Sequence, residues 1–258
     1  MTQTTAALLH LTPADYHVIR PEDFGAPGLV AREAVGPFVR VQALGSLVTV
    51  HDSTFEPGRG IGHHPHQRME RLFYVLEGTV DHDDALNGIT GHMGTGDLGI
   101  LTEGRRGMIH SEWNHSEGTA RCWILVYPNE PLAPSAAFDA IRDGEAPRVE
   151  VAPGAVTKQV VARGEQRVNG DVRELGDTSL QAGAAYAVEL DAHEAGIVFV
   201  LGGSVTVHGD GHEPVVADRE HTVLLPPTAA PRSARVAAPE ASRVLHAVTG
   251  AGFGLRLR

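Results

Sequence analysis

The chain of 258 residues is poor in several things at once. It has a single cysteine, Cys122, so no internal disulfide can form. Cys122 sits in the apolar run Arg121-Cys122-Trp123-Ile124-Leu125-Val126 and reads as a core residue of a strand rather than a nucleophile. Lysine is equally scarce (only Lys158), and aromatics make up 5%, which leaves the core to Val, Leu, Ile and Ala. Basic residues are outnumbered, 21 Lys+Arg against 32 Asp+Glu, for a net charge of −11 with no basic block. That balance repels a phosphate backbone and an anionic membrane surface, so direct nucleic-acid binding and membrane association are not expected. No apolar run is long enough to span a bilayer, and MTQTTAALLHLTPADYH lacks the basic start of a secretory signal. The expected setting is reducing and cytoplasmic.

What the sequence does have is 42% hydrophobic residues, 30 Gly and 16 Pro, the composition of many short strands joined by tight turns. Strand-like patterns occupy Phe38 to Gln42, Gly45 to Val50, Arg71 to Val80 with a turn at Glu77-Gly78, Leu98 to Thr102 and Ala120 to Tyr127. Asn87-Gly88 marks a tight turn. The stretch Pro128 to Pro134 is a linker, after which Ser135 caps an expected short helix running to Ile141 and ended by Gly144. Strand patterns resume at Ala155 to Ala162, Gly183 to Leu190, Gly196 to His208, Thr222 to Pro226 and Arg243 to Val248. The reading is all-β with two domains. It has an N-terminal arm at 1–14, loose to about Pro13, a first domain at 15–130, a linker with the short helix at 131–147 and a second domain at 148–258. An internal repeat supports duplication: Phe73-Tyr74-Val75-Leu76-Glu77-Gly78-Thr79-Val80 aligns with Val198-Phe199-Val200-Leu201-Gly202-Gly203-Ser204-Val205 at an offset of 125 residues.

The chemistry resides in two i, i+2 pairs. His64-Pro65-His66 and, 44 residues on, His110-Ser111-Glu112 each place two side chains on one face of a strand. If those strands face one another, three imidazoles and a carboxylate converge, a donor set suited to one divalent ion among iron, nickel, manganese, copper and zinc. Four protein ligands leave two octahedral positions open, whereas a structural zinc site is closed and usually cysteine-rich. The bland alternative, solvated histidines on polar strands, fits one pair better than it fits both. His63 should face away. His82, His92 and His115 lie near turns and read as solvated. Glu70 is a fifth ligand, an acceptor for an imidazole N–H or a surface charge; the middle role is favoured. In the second half the 125-residue offset sets Glu189, Asp191, Arg235 and Ala237 opposite the four donors, and His193, His208, His212 and His221 are scattered, so no metal is expected there.

These residues resemble the pirins of the cupin superfamily. The resemblance runs through Glu56-Pro57-Gly58-Arg59-Gly60-Ile61-Gly62-His63-His64-Pro65-His66, Met69-Glu70, Tyr74 to Val80, Val80-Asp81-His82-Asp83-Asp84 with Asn87-Gly88, Gly96-Asp97, and Gly107-Met108-Ile109-His110-Ser111-Glu112. It is dense over residues 56 to 113. It implies a bicupin, two antiparallel β-barrels of the double-stranded β-helix type, with one metal, usually iron as Fe(II), held by His64, His66, His110 and Glu112 of the first barrel. The chain departs from the family in lacking its aromatic-rich run before Phe38, and in carrying Gly104-Arg105-Arg106-Gly107 where Gly-x-Gly is typical. An arginine of that loop at the cavity mouth would attract an anionic or phenolic ligand.

Some bacterial pirins open the flavonol quercetin with O₂. The resemblance therefore implies a metal-dependent 2,3-dioxygenase acting on a flavonol or another enolisable phenolic compound. Glu112 would be the nearest base for the substrate hydroxyl proton. The alternative is a non-catalytic metal-containing module that senses redox state and contacts a protein partner.

Overall fold

The computed structural model describes residues 7–209 and 211–258; residues 1–6, the start of the expected arm, lie outside the described residues. Among the described residues the chain is all-β, and its only helical turns are Pro13–Asp15 and Pro21–Phe24. No helix among the described residues is long and apolar enough to cross a membrane.

Two seven-stranded antiparallel sheets form the centre. The first runs in the order Ala137–Ile141, Leu98–Thr102, Met69–Glu77, Ala120–Pro128, Thr49–Phe55, Leu29–Val35, His17–Ile19. The second runs Leu9–Leu11, Thr222–Leu225, Ala195–Gly202, Ser242–Thr249, Val172–Leu180, Ala155–Val161, Arg148–Ala152. Each is covered by a four-stranded sheet. Over the first lies Arg59–His66, Met108–Asn114, Thr79–Asp84, Ile89–Gly94; over the second lies Ala185–Leu190, Arg232–Ala237, Ser204–His208, Val215–Asp218. A ribbon of Val41–Leu44 with Leu255–Leu257 brings the C-terminal segment back to the first half. The matching strand orders are the structural counterpart of the sequence repeat.

Three apolar clusters hold these layers. One lies between the seven-stranded sheets, where Leu72, Tyr74 and Leu125 meet Ile197, Leu224 and Leu245, and Trp123 stacks on Phe199 at 6.1 Å. Strand alternation sends the other faces outward to the four-stranded sheets: Phe73, Val75, Ile124 and Val126 in the first half, Val198, Val200, Val244 and Val248 in the second. Cys122 is buried in the first of these outer clusters, as its apolar run implied. Each half is thus closed by packing between two sheets and not by a continuous ladder. The hydrogen bonding gives open sheets where closed barrels were expected.

Two other expectations are corrected. The segment expected as a helix is the strand Ala137–Ile141, paired Leu98↔Ile141 through Thr102↔Ala137. Its burial alternates with period two, so the free edge of the Leu98–Thr102 strand overrides the local helical preference. Nor is the described part of the arm loose: Leu9–Leu11 pairs with Thr222–Leu225 and completes the second sheet, as Ala137–Ile141 completes the first.

Candidate metal centre

The first four-stranded sheet places the donors. Arg59–His66 and Met108–Asn114 are antiparallel neighbours with His110 opposite His64 and Met108 opposite His66. Between His110 and Glu112 the register slips, so that Gly62 and His63 oppose Ser111 alone and Glu112 pairs with Ile61. This bulge re-aims the His64–His66 segment, a common device beside functional sites. It needs Gly60, where a Cβ would lie 2.1 Å from the Glu112 carbonyl oxygen. On its other side Met108–Asn114 pairs with Thr79–Asp84, with Glu112 opposite His82 and His110 opposite Asp84. Directly opposed residues point to one face, so His64, His110, Glu112 and His82 converge.

Two donor groups result, each with ligand atoms within 4.8 Å of one another: His64, His66 and His110, and His82, His110 and Glu112. The four expected residues are therefore divided between two triads that share His110. Ring centroids are 4.6 Å apart for His64–His110, 5.1 Å for His66–His110 and 5.3 Å for His82–His110. His110 and His82 are buried at 0% and 1% exposure. None of their four ring nitrogens makes a hydrogen bond; His110 Nδ1 lies 3.0 Å from Glu112 Oε1 without hydrogen-bond alignment.

The electrostatics favour metal-ready donors. Burial lowers the pKa of His64, takes His66 down to about 3 with help from the Arg71 charge, and takes His82 down to about 4. These rings are neutral at pH 7, the state a metal requires. Burial alone would push the Glu112 carboxyl up, but His110, His64 and Arg71 outweigh it and hold it at about 2, so it is an anion. His64 Nδ1–H donates to the Gly62 carbonyl at 2.8 Å, which leaves the Nε2 lone pair free. On His66, Arg71 Nη2 donates to Nδ1 at 2.8 Å. Ligation through Nδ1 takes that lone pair, and ligation through Nε2 puts the ring proton on Nδ1. A metal bound by His66 through either nitrogen therefore displaces the guanidinium.

The remaining sequence candidates fall elsewhere. His63 faces out and pairs with Asp83 at 2.7 Å, His92 is exposed beside Asp81, and His115 is exposed and stacked on Trp113. Glu70 touches no imidazole. The strand breaks at Arg68, whose φ is +68°, and the side-chain alternation restarts at Met69, so Glu70 faces the inter-sheet core. There it accepts from Thr102, Tyr127 and the Asn169 N–H. Arg105 and Arg106 are exposed and do not line the cavity at the donors.

Three residues were missed. His82, expected as solvated, is buried; its alternation with Val80 and Asp84 in Val80-Asp81-His82-Asp83-Asp84 was the available signal. Arg71 is the cavity's arginine, and the buried Glu103 anchors it through Nε at 2.7 Å. A charge opening the apolar strand Arg71 to Leu76 marked it. In the second half the ladder has no bulge, and Arg232 pairs with Leu190 as Met108 pairs with His66. The offset is thus 124 at the site, and the positions matching the donors are the buried Val188, Leu190, Ala234 and Val236, not Glu189, Asp191, Arg235 and Ala237.

His64, His66 and Glu112 line a cavity of about 470 Å³ together with Phe73, Ile124, Phe55 and Arg71, and with Pro37 and Phe38. Phe38 is 60% exposed, a large apolar side chain held in water at this cavity. The residues fit a divalent transition metal: converging nitrogen and oxygen donors, neutral rings, and buried imidazole nitrogens with no other partner.

Comparison with known proteins shows what the chain is similar to. The profile of the family described as Pirin matches residues 22–125. Quercetin 2,3-dioxygenase of Escherichia coli (strain K12) is 30% identical over 175 residues, covering 64% of this chain and 68% of that one. Among solved structures, the bacterial pirin YhhW of Escherichia coli in complex with nickel(II) superposes with a TM-score of 0.73 at 22% identity, covering 94% of this chain and 99% of that one. A quercetin 2,3-dioxygenase from Acinetobacter baumannii gives 0.76 at 17% identity, covering 97% and 88%. At these identities the two structures show the fold.

Proposed function

This chain belongs to the pirin family, and from that premise we propose that it is a metal-dependent dioxygenase of the quercetin 2,3-dioxygenase type, acting on a flavonol or a similar enolisable phenol. The observation that carries the reading is the joining of two features in one place: converging imidazole and carboxylate donors, of which His64, His66 and Glu112 line an apolar-walled cavity of about 470 Å³ that is open to solvent. A purely structural metal would need no such cavity. The matching strand orders support a bicupin, with cupin units at 15–130 and 148–258 joined by 131–147.

His64, His66, His110 and Glu112 would hold the ion, Fe(II) first by family and Ni, Mn, Cu or Zn by donor type. When bound, it supplies Lewis acidity toward a substrate hydroxyl and access to O₂. The chain's own groups do the rest. Phe73, Ile124 and Phe55 give a flat aromatic substrate an apolar wall and exclude water. Arg71, held by Glu103 through its Nε, would offer its guanidinium to an anionic substrate oxygen once it no longer donates to His66. Glu112 is the nearest carboxylate to accept the hydroxyl proton; at a pKa of about 2 it is a weak base, so the hydroxyl must be acidified before it transfers.

The test follows the visible band of quercetin with metal-loaded protein, with and without O₂. The proposal predicts oxygen-dependent loss in the wild type and none in His64→Ala. Full metal occupancy with no loss across iron, nickel, manganese and copper contradicts it and favours the non-catalytic, redox-sensing module with a protein partner.

A further inference from the structure

His82 is the one buried histidine of the centre that the four-donor set does not use. Both its ring nitrogens are sealed from solvent and neither has a partner. A buried polar group left so is costly, and in a native protein it calls for an occupant. Its nearest donors are His110, whose Nε2 has no partner and whose Nδ1 lies 3.0 Å from Glu112 Oε1, and Glu112 itself, directly across the ladder. The ligand atoms of these three residues lie within 4.8 Å of one another.

The surroundings of His82 are built rather than incidental. Its ring stacks on Phe138 at 5.5 Å and 13°, which fixes its plane. Phe138 comes from the Ala137–Ile141 edge strand and fits only because position 91 is glycine, where a Cβ would meet the Phe138 ring at 2.4 Å. His82 also borders a second cavity, of about 750 Å³, which shares no lining residue with the one at His64 and His66. Its wall carries Asp81, Asp83 and Asp139 together with Arg142, and Asp81 and Asp83 are paired with His92 and His63.

We propose that His82, His110 and Glu112 form a second, inner seat for a divalent transition metal, which shares His110 and Glu112 with the outer seat. An ion occupies one seat or the other. The outer seat faces the cavity with Arg71 and Phe38; of the inner donors only His82 borders the second cavity. The inference rests on the metal reading of His110 and Glu112 but not on oxygenase activity.

Cobalt(II) titration, read by calorimetry and by visible absorption, tests it on the full-length protein. The variant H64A/H66A removes two outer donors and leaves the inner triad intact. It should still bind one equivalent of Co(II) with a visible ligand-field band. Adding His82→Phe, or His82→Asn should the larger ring disturb folding, should weaken that binding at least 100-fold and abolish the band. A folded H64A/H66A protein, by circular dichroism, that binds no Co(II) while the wild type binds one equivalent overturns the inner seat. So does undiminished binding after His82 is replaced. A wild type that binds none refutes the metal reading itself, and absence of flavonol turnover bears on neither result.

Discussion

Glu70 gives the sharpest separation between stability and metal binding. It is fully buried, and its carboxylate accepts three hydrogen bonds: Thr102 Oγ1 at 2.7 Å, Tyr127 OH at 2.7 Å and the Asn169 N–H at 2.8 Å. These tie two neighbouring strands of the first sheet to the segment that enters the second half. Glu70→Ala strands three buried donors, each costing about 1–3 kcal/mol, for an expected loss of about 3–9 kcal/mol. Glu70→Gln keeps an acceptor and a donor, and Thr102 can reverse its hydroxyl, so the expected loss is about 1–2 kcal/mol. A carboxylate that oriented a metal-binding imidazole would instead cost roughly 10–100-fold in metal affinity. Urea unfolding and metal titration of the two variants decide the matter. The structure requires a graded stability loss with unchanged metal affinity in Glu70→Gln. A tenfold weaker metal affinity with unchanged stability would refute the placement of Glu70.

Two further predictions follow from the cavity and the buried rings. In metal-free protein the folded pKa of His82, about 4, lies below the unfolded value of 6.5, so the unfolded chain takes up a proton that the folded one refuses. Its contribution is intact above pH 6.5 and lost as pH falls toward 4, by about 3 kcal/mol at most; urea unfolding at pH 6.5 and 4.5 should show a steeper acid loss in wild type than in His82→Asn, and parallel losses would contradict it. Arg71→Met should raise KM for acidic phenols by roughly 10–100-fold, the worth of a charged hydrogen bond, with little change in metal content; unchanged steady-state constants would remove Arg71 from substrate recognition.

Much of this was legible in the residues. The pairs His64/His66 and His110/Glu112 announced themselves because strand parity is local, and the repeat at Phe73 and Val198 announced the duplicated sheets. What was not legible depended on non-local pairing. The face of Glu70 turned on one left-handed residue, Arg68. The helix expected from Ser135 to Ile141 was lost to an open sheet edge supplied by the Leu98–Thr102 strand, where Thr102 lies 35 residues upstream of its partner Ala137. The one-residue slip between the halves came from the bulge at Gly62 and His63, which no periodicity displays. His82 was judged by the turns around it, although its own alternation with Val80 and Asp84 pointed inward.

The central claim is that this sheet holds a metal through donors that meet at His110, the one residue common to both triads. The direct measurement is the metal content of wild type and His110→Ala after loading with Fe(II) or Ni(II) and removal of free ion. The account predicts one equivalent in the wild type and substoichiometric, readily removed metal in the variant. Stoichiometric, tightly held metal in a folded His110→Ala protein would contradict it.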